Sequence, residues 1–233
     1  PYYAYGTSIG RFGTHGSHVA GLAAGDPGEA DSDLVRIIAV QLLPIMTPDI
    51  TGRNRRSAVM AAFDYIIERA KMIEQAYGPP DLPLVINFSY GYSGGPHDGS
   101  GELASYIRQR IDQRPEPTAL VLPAGNTFQS AMYCRIAPEA NQPDRLRKTI
   151  PWRIQANDRT ETPLELWFAP GAALTALALD VIDPTGFTAA SLKTGDITNP
   201  FTPVEVKNDA SEVVGHIYRD DTSARPCLVL DLE

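Results

Sequence analysis

Leu84-Val-Ile-Asn-Phe88 and Thr118-Ala-Leu-Val-Leu122 are two short apolar runs that bracket an amphipathic segment of the chain. Each run is rich in β-forming residues and has the length of a buried strand. The segment between them carries an apolar stripe at helical spacing, formed by Leu103, Ile107 and Ile111. A strand, a helix and a second strand in this order predict two parallel strands joined by a right-handed crossover.

The same alternation extends upstream. Residues 34–43 are a β-branched apolar run that ends at Pro44, and they predict a further buried parallel strand. The segment from about Arg55 to Tyr77 predicts a helix, because its apolar residues recur at helical spacing. We expect Ser100 to be the N-cap of the helix that follows. The first half is therefore predicted to be α/β, a parallel sheet with flanking helices, and ligands are expected at the carboxyl ends of its strands.

Helical periodicity disappears after about residue 130, and short β-rich runs take its place. These runs are Leu164–Phe168, Leu174–Ile182, Pro203–Val206, Glu212–Tyr218 and Cys227–Leu232. Turn-forming sequences such as Asp183-Pro-Thr-Gly186 separate them. This spacing predicts an all-β sandwich over residues 151–233. Residues 131–150 are then the connection from a first domain of residues 1–130.

Composition narrows the classes of function. The 233 residues carry a net charge of −8 and are 43% hydrophobic, enough for a sizeable core. No apolar run reaches the ~20 residues that span a bilayer. The acidic balance disfavours a general nucleic-acid binder, which needs basic surface to meet phosphate. Cys134 and Cys227 are too few for a disulfide framework or a four-thiolate zinc site, and the sequence leaves open whether they pair.

Thr14-His15-Gly16-Ser17-His18-Val19-Ala20-Gly21 suits a catalytic imidazole at a helix N-terminus, because small residues allow close backbone packing around it. This stretch resembles the His-Gly-Thr-His-Val-Ala-Gly motif of the subtilisin-like serine peptidases (subtilases), and only Ser17 departs from it. Val85–Gly91 resembles the subtilase strand whose Ser-x-Gly end pairs with substrate backbone. Leu120–Asn126 resembles the strand that ends in Ala-Gly-Asn at the oxyanion hole. Three elements in family order are more specific than any one alone.

The resemblance implies a role for each matching residue. His15 would be the general base of an Asp-His-Ser triad, and Asn126 would donate to the oxyanion. An extended polypeptide substrate would pair with Ser89, Tyr90 and Gly91 by β-augmentation, with Tyr90 flanking the side-chain pockets. Ala124 and Gly125 would line one wall of the primary pocket. We predict no cofactor and no metal ligand among these residues, while calcium dependence and the oligomeric state stay open. The resemblance favours a secreted or extracytoplasmic location.

The β-rich half has a looser resemblance of its own. Residues 164–170 and 177–186 have no place in a minimal subtilase. They are similar to the jelly-roll insert that some bacterial subtilases carry between the oxyanion Asn and the catalytic Ser. Gly95-Pro-His-Asp-Gly99 also looks like a loop of such insert-bearing members.

Two triad members have no clear match. No Asp precedes His15, and no Gly-Thr-Ser-x-Ala-x-Pro follows it. Ser223 is the nearest match to the nucleophile, but Asp221 replaces the Gly and the spacing is one residue short. Asp183 imitates the triad Asp motif yet reads more simply as a hairpin turn. We therefore expect a central piece of a subtilase that is inactive alone.

Three alternatives stay open. The chain could be a catalytically dead subtilase-like scaffold or a protein-binding module that acts through the β sandwich. The sandwich could instead recognise carbohydrate. His15 and His18 at i, i+3 could be metal ligands, although no third ligand follows at a telling spacing.

Overall fold

The computed structural model describes residues 15–25, 35–42, 55–77, 82–137, 148–154, 162–172, 178–193, 202–220 and 225–232. The described residues form two compact units. Among the described residues, the first unit consists of 15–25, 35–42, 55–77, 82–92 and 107–126, and the second consists of 93–106 and the described residues from 127 to 232. The domain limits near residues 130 and 150 remain a prediction.

The first part of the chain is mixed α/β, as predicted. Its elements are α1 (His15–Ala24), α2 (Arg56–Tyr77), β1 (Leu84–Asn87), α3 (Glu102–Asp112) and β2 (Thr118–Val121). Strands β1 and β2 pair in parallel, from Leu84 opposite Thr118 to Asn87 opposite Val121. The helix predicted over 55–77 and the strand–helix–strand order are thus confirmed.

Helix α2 buries one stripe of its surface. Val59, Phe63, Ile67 and Ala70 recur at i, i+4, i+8 and i+11 spacing and are all buried. The Phe63 ring meets the Phe88 ring edge-on, with centroids 5.9 Å apart. Such aromatic pairs contribute about 0.5–1.5 kcal/mol beyond the area they bury, so this contact helps to fix the strand end against the helix.

A buried arginine, Arg114, bonds to three parts of this unit: the last turn of α2, the link between α2 and β1, and the start of β2. The Arg114 guanidinium pairs with Glu74 near the end of α2 and donates to the Leu82 carbonyl oxygen at 2.7 Å. It also donates to Thr118 Oγ1 at 2.9 Å, where β2 begins. Only 1% of the Arg114 side chain is exposed, so these partners replace the water that the charge would otherwise hold.

Two local predictions were wrong. The described part of the predicted strand over residues 34–43, residues 35–42, forms no strand, and Ile37 is 66% exposed. An apolar run becomes a strand only when a neighbouring strand takes its ladder hydrogen bonds, and residues 35–42 pair with neither β1 nor β2. Ser100 does not cap α3, because the Gly101 carbonyl accepts the first helical bond from Ser105 and the Ser100 hydroxyl donates to Asp98.

The second unit holds two antiparallel sheets. Its strands are β3 (Thr162–Trp167), β4 (Ala178–Ile182), β5 (Thr188–Lys193), β6 (Val204–Lys207), β7 (Val213–Asp220) and β8 (Cys227–Leu232). One sheet has the order β3-β8-β7-β6, and the other is the β4-β5 hairpin. The two share one core of buried residues: Ala190, Leu192, Val206, Ile217, Leu228 and Leu230.

The turn between β4 and β5 confirms the interpretation of Asp183 as a turn residue. The Gly186 amide donates to the Asp183 carbonyl oxygen at 3.0 Å. The Asp183 carboxylate accepts from the Thr185 hydroxyl at 2.6 Å and from the Phe187 amide at 2.9 Å. These hydrogen bonds, the Thr185 hydroxyl first, lower the pKa of Asp183. The Asp183 carboxylate therefore stabilises the turn of the β4–β5 hairpin.

Gly215 lies on β7 where only a glycine fits. A Cβ there would overlap the Asp231 carbonyl oxygen on β8 and come within 2.7 Å of Leu232 Cδ2. We expect Gly215→Ala to lower the free energy of unfolding by about 1–3 kcal/mol, because the strands must move apart. Urea denaturation measures the loss. Gly21→Ala on α1 is the control, since no atom of the described residues lies within 4 Å of its added Cβ. An equal stability of both variants would contradict the close approach.

Within the described ranges, no helix is long and apolar enough to cross a membrane.

The two cysteines differ in exposure. Cys134 is exposed and Cys227 is buried, and neither forms a disulfide in the part of the chain that the structure describes.

Candidate active site

His15 is the first residue of α1, as the motif predicts, and its side chain is exposed. The helix ends at Ala24. Gly25 follows it with a φ of +64°, and its amide donates to the Gly21 carbonyl oxygen at 3.0 Å. His18 lies one turn after His15 and is exposed too. In the described ranges, no group of three or more His, Cys, Asp or Glu side chains could hold a metal ion.

The carboxyl ends of β1 and β2 bring the other predicted site residues together. The parallel pairing continues past β1, since the Phe88 amide donates to the Val121 carbonyl oxygen at 3.0 Å. Beyond it, a Cβ built on Gly91 would lie 4.0 Å from the Gly125 Cα. The segment Ser89-Tyr90-Gly91 therefore lies directly beside Ala124-Gly125-Asn126, at the edge where parallel sheets place their ligands.

The segment Ala124-Gly125-Asn126 has a backbone conformation that requires a glycine at its centre. Gly125 has a φ of +86°, a region that a side chain disfavours. Ala124, Gly125 and Asn126 are all exposed. The exposed amide of Asn126 thus follows a glycine that turns the chain at the end of β2. Among the described residues, no hydrogen bond joins His15 to Asn126 or to the segment 89–91.

The segment 89–91 keeps the in–out alternation of β1. Val85, Asn87, Ser89 and Gly91 are exposed, whereas the intervening residues are buried or half-buried. Ser89 Oγ accepts a hydrogen bond from Asn87 Nδ2 at 2.9 Å on the exposed side. The segment is thus extended, and one of its faces is available to a ligand.

Tyr90 lies on the other side of this segment and is half-buried. Its ring packs against Phe88, with centroids 6.0 Å apart and planes 33° apart. The Arg55 guanidinium lies 4.7 Å from the centre of the Tyr90 ring. Sequence reasoning missed Arg55, whose only signal was its position immediately before α2.

The loop Gly95–Gly99 is fastened within the second unit. The Gly95 amide donates to Glu165 Oε2 at 2.7 Å, and the Trp167 indole donates to the same oxygen at 2.8 Å. Asp98 accepts from the Ser100 amide and hydroxyl and pairs with Arg225. The loop that resembles a feature of insert-bearing subtilases is therefore held by β3 and by the residue that leads into β8.

Acid is expected to loosen this attachment. The Ser100 hydroxyl, the Ser100 amide and then Arg225 lower the pKa of Asp98. A carboxyl whose pKa is lower in the folded state contributes stability above its unfolded value of about 3.9, and loses it as pH falls through the folded value. We expect Asp98→Asn to reproduce the acid state at neutral pH. Faster hydrogen exchange of the Ser100 amide measures it, with Asp209→Asn as an exposed control. Unchanged exchange in Asp98→Asn would contradict this role.

Comparison with known proteins places the chain in a family. The model of the Subtilase family (Peptidase S8) matches residues 2–181. That match covers most of the chain, which therefore belongs to the subtilase family. It continues beyond residue 130, where the motif-level resemblance ends, through β3 and into β4. No curated protein and no solved structure matched.

Proposed function

We propose that these residues belong to a subtilisin-type serine endopeptidase, in which His15 is the general base and Asn126 the oxyanion donor. The observation that carries the proposal is the contact between the segments that follow β1 and β2. The Gly91–Gly125 approach brings the predicted substrate strand and the predicted oxyanion segment to one sheet edge. The exposed imidazole at the start of α1 supports the same assignment.

In this proposal an extended peptide pairs with the backbone of the segment 89–91. An added strand would pair with the backbone of this segment at the edge away from residues 124–126, and its main-chain hydrogen bonds would supply affinity that depends little on sequence. Ala124 and Gly125 lie beside that strand and would form a wall of the primary pocket. The substrate class is therefore polypeptide, consistent with the family.

Catalysis would follow the triad mechanism. His15 takes the proton from a serine hydroxyl as the serine oxygen attacks the peptide carbonyl, and returns it to the leaving amine. The Asn126 amide donates to the oxygen that becomes negative. The triad Asp would hold the imidazole in the required tautomer. Since the motifs for that Asp and for the serine have no clear match in these 233 residues, we expect the chain alone not to hydrolyse peptides.

For the second unit we propose a jelly-roll-like insert of the peptidase. Its four-stranded sheet and its hairpin share one buried core, which supports a sandwich. A secreted or extracytoplasmic location is part of the same proposal and comes from the family resemblance.

Labelling with a fluorophosphonate tests the peptidase proposal. The natural protein that contains these residues is expected to react at a serine in a Gly-Thr-Ser-x-Ala-x-Pro sequence, whereas the 233-residue chain is expected to stay unmodified. Peptide mapping by mass spectrometry locates the label. Modification of Ser223 in the isolated chain would overturn the proposal that the nucleophile lies elsewhere; residues 221–224 are outside the described structure.

A second candidate is a subtilase-like scaffold that binds a protein partner through the β sandwich. The observation in its favour is that the second unit buries a core of its own. The open reading frame separates the two candidates: a frame that encodes no Gly-Thr-Ser-x-Ala-x-Pro after Glu233 would favour the scaffold.

A further inference from the structure

We infer that Arg55 is a positioning residue for substrate recognition, because it fixes the Tyr90 ring on the α2-facing side of the segment 89–91, which would pair with the peptide. The inference deepens the proposed function and rests on it, since Tyr90 matters to a substrate only if the segment 89–91 binds one. Arg55 would touch no substrate itself and would act through the tyrosine.

Arg55 is buried. It is 2% exposed, although it lies immediately before a helix, where an arginine usually reaches into water. Placing a guanidinium there costs solvation that its contacts must offset. The Tyr90 ring is one such contact, with the guanidinium carbon 4.7 Å from the ring centre. That separation is well inside the ~6 Å at which a cation is attracted to an aromatic face.

Continuity is the second argument. Phe63 on α2 contacts Phe88 at 5.9 Å, Phe88 contacts Tyr90 at 6.0 Å, and Tyr90 contacts Arg55. Phe88 and Tyr90 are two residues apart and share the α2-facing side of the extended segment. Phe63 on α2 thus holds the Phe88 ring, and Arg55, immediately before α2, holds the Tyr90 ring, so both rings are packed by this part of the chain.

The remaining exposure of Tyr90 links this packing to specificity. Tyr90 is half-buried, so part of it stays accessible on the face opposite Ser89 and Gly91, and a peptide paired at the strand edge would direct alternate side chains to that face. A large peptide side chain that reaches the Tyr90 ring would gain contact area, whereas an alanine would gain little. If the ring loses the Arg55 contact and reorients, affinity for the large side chain should fall more than affinity for the backbone.

Peptide binding to the 233-residue chain tests the inference without requiring catalysis. The probes are fluorescein-labelled alanine hexapeptides in which one phenylalanine occupies each position in turn, and the all-alanine hexapeptide is the reference. Fluorescence polarisation gives the Kd for the parent chain and for Arg55→Met, Arg55→Lys, Tyr90→Ala and the Arg55→Met/Tyr90→Ala double variant. Arg108→Met on the exposed side of α3 is the matched control.

We expect Arg55→Met to weaken binding of the best phenylalanine peptide about 10-fold and to leave the all-alanine peptide within about 2-fold. Arg55→Lys, which keeps the cation, should retain most of the discrimination, and Arg108→Met should retain all of it. In the Tyr90→Ala background, Arg55→Met should cause no further loss, because Arg55 then has no ring to position.

Other outcomes separate the two levels of the proposal. Two results would overturn the role of Arg55. One is an equal loss of affinity for the phenylalanine and all-alanine peptides in Arg55→Met, and the other is a further loss of affinity when Arg55→Met is added to Tyr90→Ala. Either result would leave the proposal that residues 89–91 bind peptide in place. Failure of the parent chain to bind any of the peptides would overturn the proposed peptide-binding function and the role of Arg55 with it. Circular dichroism checks folding. If Arg55→Met unfolds, loss of discrimination in folded Arg55→Lys overturns the inference.

Discussion

Replacing His15 with Ala is expected to lower kcat of the peptidase by roughly 10⁶-fold, the loss that subtilisin itself shows for its catalytic histidine. The serine oxygen would then attack without a base to take its proton, and the amine would leave without an acid. The measurement is peptide hydrolysis by the natural protein that contains these residues, compared with and without the substitution. Fluorophosphonate labelling should be lost in parallel, because the reagent requires the activated serine.

Two neighbouring substitutions make the result specific. His18→Ala, one turn along the exposed side of α1, should cost far less, since no role in proton transfer is proposed for it. Asn126→Ala should lower kcat by about 10²–10³-fold, again the value that subtilisin gives for its oxyanion asparagine, and should keep the labelling. General-base catalysis contributes at least about 10²-fold to the rate. A smaller decrease of kcat in His15→Ala would therefore contradict the assignment of His15 as the base.

Replacing Arg114 with Met is expected to lower the free energy of unfolding by about 3–5 kcal/mol. The substitution would leave the Glu74 carboxylate without its cation, although only 11% of the Glu74 side chain is exposed. It would also remove the donors to the Leu82 carbonyl oxygen and to Thr118 Oγ1. Urea denaturation, followed by the helical circular dichroism signal, measures the change.

Lys71→Met provides the comparison for an exposed ion pair. Lys71 pairs with Glu68 at 2.8 Å, but the two side chains are 45% and 58% exposed. Such pairs contribute about 0–1 kcal/mol, because water already solvates both charges. Equal losses in Arg114→Met and Lys71→Met would contradict the view that burial makes the Arg114 pair important.

Periodicity predicted the elements that are long or strongly patterned. Helix α2 follows from the helical spacing of its apolar residues, and strands β1 and β2 follow from their short apolar runs of β-forming residues. Strand β5, Thr-Ala-Ala-Ser-Leu-Lys, was missed because Ala and Ser have little strand preference. Its evidence in the sequence is indirect: the Asp183–Gly186 turn requires a returning strand. Residues 35–42 show the opposite error, a strand-like composition without a bonded neighbour.

The positions of the candidate site residues were predictable where a motif marks the end of an element. The motifs place His15 at the start of a helix and Ser89 and Asn126 after two neighbouring strands, and the structure has them there, whereas their roles stay predictions. Arg55 could not be read, because an arginine before a helix usually reaches solvent, and its burial depends on how α2 packs on the segment after β1. The Arg114 pair is equally invisible, since its acidic partner Glu74 is forty positions away in the chain.

Cys227 gives the second unit a reporter of its own opening. It begins β8, the strand that pairs with both β3 and β7, and none of its surface is exposed. A thiol reagent should react at once with the exposed Cys134 and with Cys227 only when β8 separates from its neighbours. The rate of the slow phase of thiol modification would therefore report how often β8 separates from its neighbours, without any engineered probe.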